Sequence, residues 1–186
     1  AVVTYLFLIF VNPGDTSAQN NVLLKGHFTD ESNFDVIGKG KCEINDGRLI
    51  SRDAYASFGD AAWTNYRFSF EARTPVTEEQ VQIWVSFREQ GRNERYLVGL
   101  KGGYQNDLEI ARMGLMGDDA FLGIRNLDFE PALGVWYKVS IEVCKNRIRI
   151  FLNDEKKPRI DVIDEHADLL PAGKVALGGA WIKTEF

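Results

Sequence analysis

Short alternating runs of apolar and polar residues, broken by turn formers, constrain this chain more than any other feature. Asn65 to Arg73 reads NYRFSFEAR, which puts Tyr66, Phe68 and Phe70 on one face and Arg67, Ser69 and Glu71 on the other. Side chains of an extended strand point alternately to two faces, so this period fits a half-buried β-strand and not a helix. Val81, Ile83, Val85 and Phe87 share the next face, opposed by Gln82, Trp84, Ser86 and Arg88. Tyr96, Val98 and Leu100 follow, then a Gly102-Gly103 turn and an inward pair, Leu108 and Ile110. Tyr137, Val139, Ile141 and Val143 run into a Lys145-Asn146 turn, and Ile148, Ile150 and Leu152 return from it as a hairpin. Asp46-Gly47 is a tight turn signal of the type I′ kind. Only Asp164 to Leu170, DEHADLL, reads as a short helix.

About a dozen strands with so little helix predict an all-β fold, a two-sheet antiparallel β-sandwich of the jelly-roll kind. A length of 186 residues suits one domain. No internal repeat and no linker interrupt 22–186. With 22 Lys and Arg against 27 Asp and Glu, the net charge of −5 lacks the basic footprint of a nucleic-acid binder. Two His and two Cys are too few for a multi-Cys/His zinc module or a disulfide scaffold.

Residues 1–11, AVVTYLFLIFV, form an uncharged apolar run. It is shorter than the about 20 residues of a bilayer-spanning helix. It matches the apolar core of an export signal, about 7–15 residues. Thr16-Ser17-Ala18 then offers a small-x-small pattern suited to cleavage before Gln19. The expectation is a signal-peptide remnant over 1–18 and a sandwich over 19–186, exported to the periplasm, the cell surface or the medium. The other reading makes the run a buried strand of the fold.

Strand parity also bears on the cysteines. Cys42 shares its face with Ile44 and should point inward, whereas Cys144 sides with Ser140 and Glu142 and should point outward. A disulfide needs Cα atoms within about 7 Å and converging Cβ vectors, so two free thiols are expected.

Several segments together carry a family resemblance. DGRLIS at 46–51, WTNYRFSFEAR at 63–73, YLVGLKGG at 96–103, GVWYKVSIEVCKNRIRIFLN at 134–153 and GKVALGG at 173–179 resemble a concanavalin A-like lectin/glucanase domain. More narrowly, they are similar to its laminin-G-like and 3-keto-disaccharide-hydrolase branch, often attached to bacterial glycoside hydrolases. The resemblance spans 22–186. It implies a structural calcium near the first strand, for which Asp30 and Glu31, following Phe28, are the candidate ligands. The family's closing strand commonly carries Phe-Asp-Asn. Here Lys183-Thr184-Glu185-Phe186 stands in that place, so the closing Asp is absent and the strand is expected to be cut short.

The laminarinase-type enzymes of that fold carry a strand motif E-x-D-x-E. The closest match here is Gln105-Asn106-Asp107-Leu108-Glu109. Asp107 and Glu109 fit, but Gln105 stands where the nucleophile would be, and an amide cannot form the covalent glycosyl intermediate of a two-carboxylate retaining mechanism. No GxSxG, P-loop or HExxH is present. Asp161, Asp164, Glu165, His166 and Asp168 read as a solvated acid-rich turn.

A sugar would need an aromatic platform with a few placed polar groups. Trp84 on an otherwise polar face, with Gln82 and Arg88, supplies the candidate. Arg67 and Glu71 share outward parity on the preceding strand, and Asp107, Glu109 and Arg112 lie later. Trp63, Trp136 and Trp181 are expected to be structural. The expected function is a non-catalytic carbohydrate-binding or accessory module of an exported glycan-degrading protein. Its partners would be an oligo- or polysaccharide and an adjacent catalytic domain. The alternatives are a glycoside hydrolase of the 3-keto-disaccharide type and a structural or protein-interaction domain.

Overall fold

The computed structural model describes residues 28, 34–91, 93–103, 105–115, 120–166 and 169–186, and the backbone of 6–10 and 22–26. The strands are β1 (Leu6–Phe10), β2 (Val22–Gly26), β3 (Asp35–Asn45), β4 (Arg48–Phe58), β5 (Tyr66–Ala72), β6 (Ile83–Gly91) and β7 (Glu94–Leu100). They continue as β8 (Asp107–Arg112), β9 (Phe121–Asn126), β10 (Tyr137–Cys144), β11 (Arg147–Leu152), β12 (Ile160–Ile163), β13 (Lys174–Gly178) and β14 (Thr184–Glu185).

These strands form two antiparallel sheets, a β-sandwich. The smaller runs β12-β11-β10-β5-β1-β2, and the larger runs β14-β4-β13-β6-β7-β8-β9 with β3 paired to β4. Alternation is the reason. Tyr66, Phe68 and Phe70 of β5 and Phe87 and Tyr96 of β6 and β7 are each at most 2% exposed. Phe68 bridges the layers, its ring 5.7 Å from Phe70 and 6.4 Å from Phe87. Asp46 and Gly47 take φ values of 51° and 74°, as a two-residue type I′ hairpin requires.

At the other end of the chain, Phe186 reaches the core. It is fully buried, 6.0 Å from Phe70, and exchanges backbone hydrogen bonds with Leu49. The segment expected to be cut short therefore supplies the edge strand β14 and a core side chain. The apolar N-terminal run also enters the fold, because β1 lies between β5 and β2 with Phe10 opposite Tyr66. Cys42 and Cys144 are both free, the first buried and the second half-buried. Burial pushes the Cys42 thiol up to about 11, against a hydrogen bond from Ser51.

Two expectations need correction. The described residues of 164–170 are not helical. Asp164 instead turns its carboxylate back on its own backbone, accepting from the His166 amide at 3.0 Å. Such local side-chain bonds favour turns over helix. Asp164 is also fully buried and accepts from the Tyr96 hydroxyl at 2.5 Å, so the acid-rich stretch is not wholly solvated. The second correction concerns Arg88. It has φ +48° and interrupts the register between β6 and its neighbours. This bulge breaks the alternation and turns Arg88 between the sheets, where it is 1% exposed.

Candidate functional site

Trp84 stands on the outer face of the larger sheet, because its neighbours Ile83 and Val85 fill the core. Register places it in a row across four strands: Trp84, Gly99, Glu109, Ile124. Gly99 lets the indole lie across β7. A methyl at Gly99 would meet the Trp84 ring at 2.9 Å and Glu109 Oε1 at 3.0 Å. A methyl at Gly102 would meet Glu109 Oε1 at 2.3 Å and the ring at 2.5 Å. The half-buried indole and the Glu109 carboxyl thus share one seat made by two glycines.

Polar groups surround that seat. Gln82 donates from Nε2 to the Gly102 carbonyl at 2.7 Å, while its Oε1 is buried without a hydrogen-bond partner. Asp107 and Glu109 point to the same face, two residues apart on β8, and are 5% and 4% exposed. Asp107 Oδ1 is buried without a hydrogen-bond partner. Burial raises the Asp107 pKa. Burial and then the Asp107 charge push Glu109 up to about 7. The pair was expected to be outward strand carboxylates, and outward they are, but they are covered rather than solvated. Gln105 is exposed, ahead of β8.

Other expected residues lie elsewhere. Arg67 and Glu71 belong to β5, on the outer face of the smaller sheet, so they do not join Trp84. Arg67 pairs with Glu142 at 3.2 Å and lies 5.4 Å over the Phe151 ring, and Glu71 stands opposite Lys138. Arg112 also turns inward, 3.5 Å from Asp164. Asp30 and Glu31 lie outside the described residues. Among the described residues no three His, Cys, Asp or Glu gather as a metal site.

The sequence reading missed a second cluster on the same outer face. The bulge that buries Arg88 presents Glu89 outward, where it accepts from Ser57 at 3.0 Å and Ser86 at 3.1 Å. Arg95 lies 3.8 Å from Glu89 and stacks 4.2 Å over the Tyr55 ring. A pocket of about 330 Å³ adjoins them, lined by Tyr55, Arg95, Asp53, Lys39, Ile37 and Trp181. Trp181 was expected to be structural, yet it is 65% exposed. Trp63 does pack in the core, 6.4 Å edge-on to Tyr66, and Trp136 lies under Arg73 at 4.8 Å. Parity marks Arg95 as outward, because Tyr96 is inward, but no local signal announces the bulge that turns Glu89 to the outer face, where it is still buried.

No protein-family model matches the chain, and no curated protein matches its sequence. The fold is similar to several solved structures. A carbohydrate-binding module, CBM66, from Bacillus subtilis superimposes with a TM-score of 0.59 at 13% identity, over 82% of this chain and 90% of that one. The exoplasmic/lumenal domain of VIP36 in a Ca2+/Man2-bound form gives 0.57 at 11% identity, over 82% of this chain and 80% of that one. A β-1,3-glucanase from Mycobacterium marinum gives 0.50 at 9% identity, over 84% and 89%. The architecture is therefore the concanavalin A-like sandwich. At these identities the likeness concerns the fold, which hosts binding and catalysis alike.

Proposed function

We propose that this chain is a non-catalytic carbohydrate-binding or accessory module of an exported glycan-degrading protein, and that it binds an oligo- or polysaccharide on the outer face of the larger sheet. One observation carries the reading: Trp84 lies across Gly99 and Gly102 beside polar groups that hold unused hydrogen-bonding capacity. A sugar offers an apolar C–H face and a rim of hydroxyls, and an aromatic plane with a few oriented polar atoms fits both. The indole would take the ring face. Gln82 Oε1 and Asp107 Oδ1 would accept from hydroxyls once the local side chains open toward the ligand. Solved structures of similar fold, one named as a carbohydrate-binding module and one as a Ca2+/Man2-bound form, support the reading. A glycan array with the wild type and Trp84→Ala tests it. Binding that is lost in the variant is the expected result; no binding at all, or binding unchanged by the substitution, would remove this face.

Glu109 favours a second reading, a glycoside hydrolase of the 3-keto-disaccharide type. A carboxyl that titrates near pH 7 is suited to general acid–base work. Incubation with 3-keto-glycosides, with and without divalent metal, decides it, since turnover abolished by Glu109→Gln would replace the binding reading.

A further inference from the structure

We propose a second ligand site, independent of the Trp84 face: a pocket at one end of the sandwich that takes a small carboxylate-bearing molecule on Arg88 and Lys145. The pocket measures about 460 Å³ and is lined by Thr64, Asn65, Arg88, Lys145, Asn146, Leu169 and Pro171. It opens where the β10–β11 turn meets the approaches to β5 and β13.

Arg88 is the main argument. The bulge in β6 carries it away from the outer face and between the sheets, where it is 1% exposed. Its own amide donates to the Tyr66 hydroxyl at 3.0 Å, and its guanidinium donates from one terminal nitrogen to the Thr64 carbonyl at 3.0 Å. Tyr96 offers a further hydrogen bond. Nε has no hydrogen-bond partner. Among the described residues the acceptors that meet this buried cation are thus neutral, and no carboxylate forms an ion pair with it. A buried charge left without a counter-charge is costly, and an anionic ligand would relieve that cost.

Lys145 brings a second cation to the same rim. Its left-handed φ of 52° and the 2.6 Å bond from its amide to Asn65 Oδ1 fix the turn that presents it. None of the described lining residues is acidic, in a chain whose net charge is −5. Asp164, a buried acid that shares Tyr96 with Arg88, gives its carboxylate to Tyr96, Arg112 and His166. A planar guanidinium matches the two oxygens of a carboxylate, while Asn65, Asn146 and Thr64 suit hydroxyls and Leu169 and Pro171 suit a C–H surface.

The test uses D-glucuronate, with D-glucose as its neutral match and inorganic phosphate as an anion of other shape, in calorimetric titrations of the full chain. Glucuronate should bind the wild type, glucose should not, and phosphate should bind more weakly. Lys145→Asn keeps a residue that tolerates positive φ and should weaken glucuronate about fivefold. Arg88→Gln should weaken it further, and Lys145→Asn carries the test if that variant fails to fold. Trp84→Ala should leave glucuronate binding unchanged, which separates this site from the outer face. The proposal is overturned by absent glucuronate binding, by glucose or phosphate binding as tightly, by an unaffected Lys145→Asn, or by loss in Trp84→Ala.

Discussion

Trp84 and Glu109 meet across Gly99, the residue that pairs with both in the sheet. The contact leaves no room for a methyl, which would sit 2.9 Å from the indole and 3.0 Å from the carboxyl oxygen. Gly99→Ala should therefore push the ring and the carboxyl apart. Overpacking of this kind costs about 1–3 kcal/mol. The expected outcome is altered tryptophan fluorescence and weaker glycan binding, with the fold retained by circular dichroism. Unchanged fluorescence and affinity would show that the indole does not depend on that seat.

Glu109 should make stability depend on pH. Its folded pKa is raised to about 7 from an ordinary value of 4.5 by burial and by Asp107. Below the ordinary value both states hold the proton, and nothing is lost. As pH rises toward 7 the unfolded chain releases the proton first, so stability falls, and it levels off once the folded carboxyl also ionises. At about 1.4 kcal/mol per unit, the loss is up to roughly 3 kcal/mol. Urea unfolding between pH 4 and 8 should show it, and Glu109→Gln should flatten most of the slope.

The residues that were legible and those that were not differ in a physical way. Facing within one strand follows from a local period, so Phe68 inward and Trp84 outward could be read directly. The Asp46-Gly47 turn could be read because its backbone demands residues that accept positive φ. Which sheet a strand joins depends on contacts far along the chain. Arg67 and Trp84 therefore share outward parity yet lie on opposite sides of the molecule. Arg88 failed for another reason. Arginine at positive φ carries no turn-former signature, and one bulge moved Arg88 inward and Glu89 outward.

Asp164 should be a hinge of stability at the sandwich end. It is fully buried, accepts from Tyr96 at 2.5 Å, and lies 3.5 Å from Arg112. Asp164→Ala would take the buried carboxylate away from Tyr96, Arg112 and His166 at once, a loss of about 3–5 kcal/mol. Tyr96→Phe removes one hydroxyl and keeps the ring stacked on Phe87 at 5.1 Å, so it should cost only about 1–2 kcal/mol. Chemical denaturation of the two variants gives the comparison, and equal losses would contradict this ranking.

The N-terminal run has two competing fates, and deletion separates them. β1 pairs with β5 from Phe7 opposite Ser69 to Phe10 opposite Tyr66. Removing residues 1–18 would strip that ladder and open the edge of β5 to solvent or to another chain. Ladder bonds contribute about 0.5–1.5 kcal/mol each, so the shortened chain should lose at least about 2 kcal/mol and tend to self-associate. Urea midpoints and light scattering of both chains check this. A shortened chain that is monomeric and equally stable would instead support a run removed at export, and mass spectrometry of the mature N-terminus would then be expected to find Gln19.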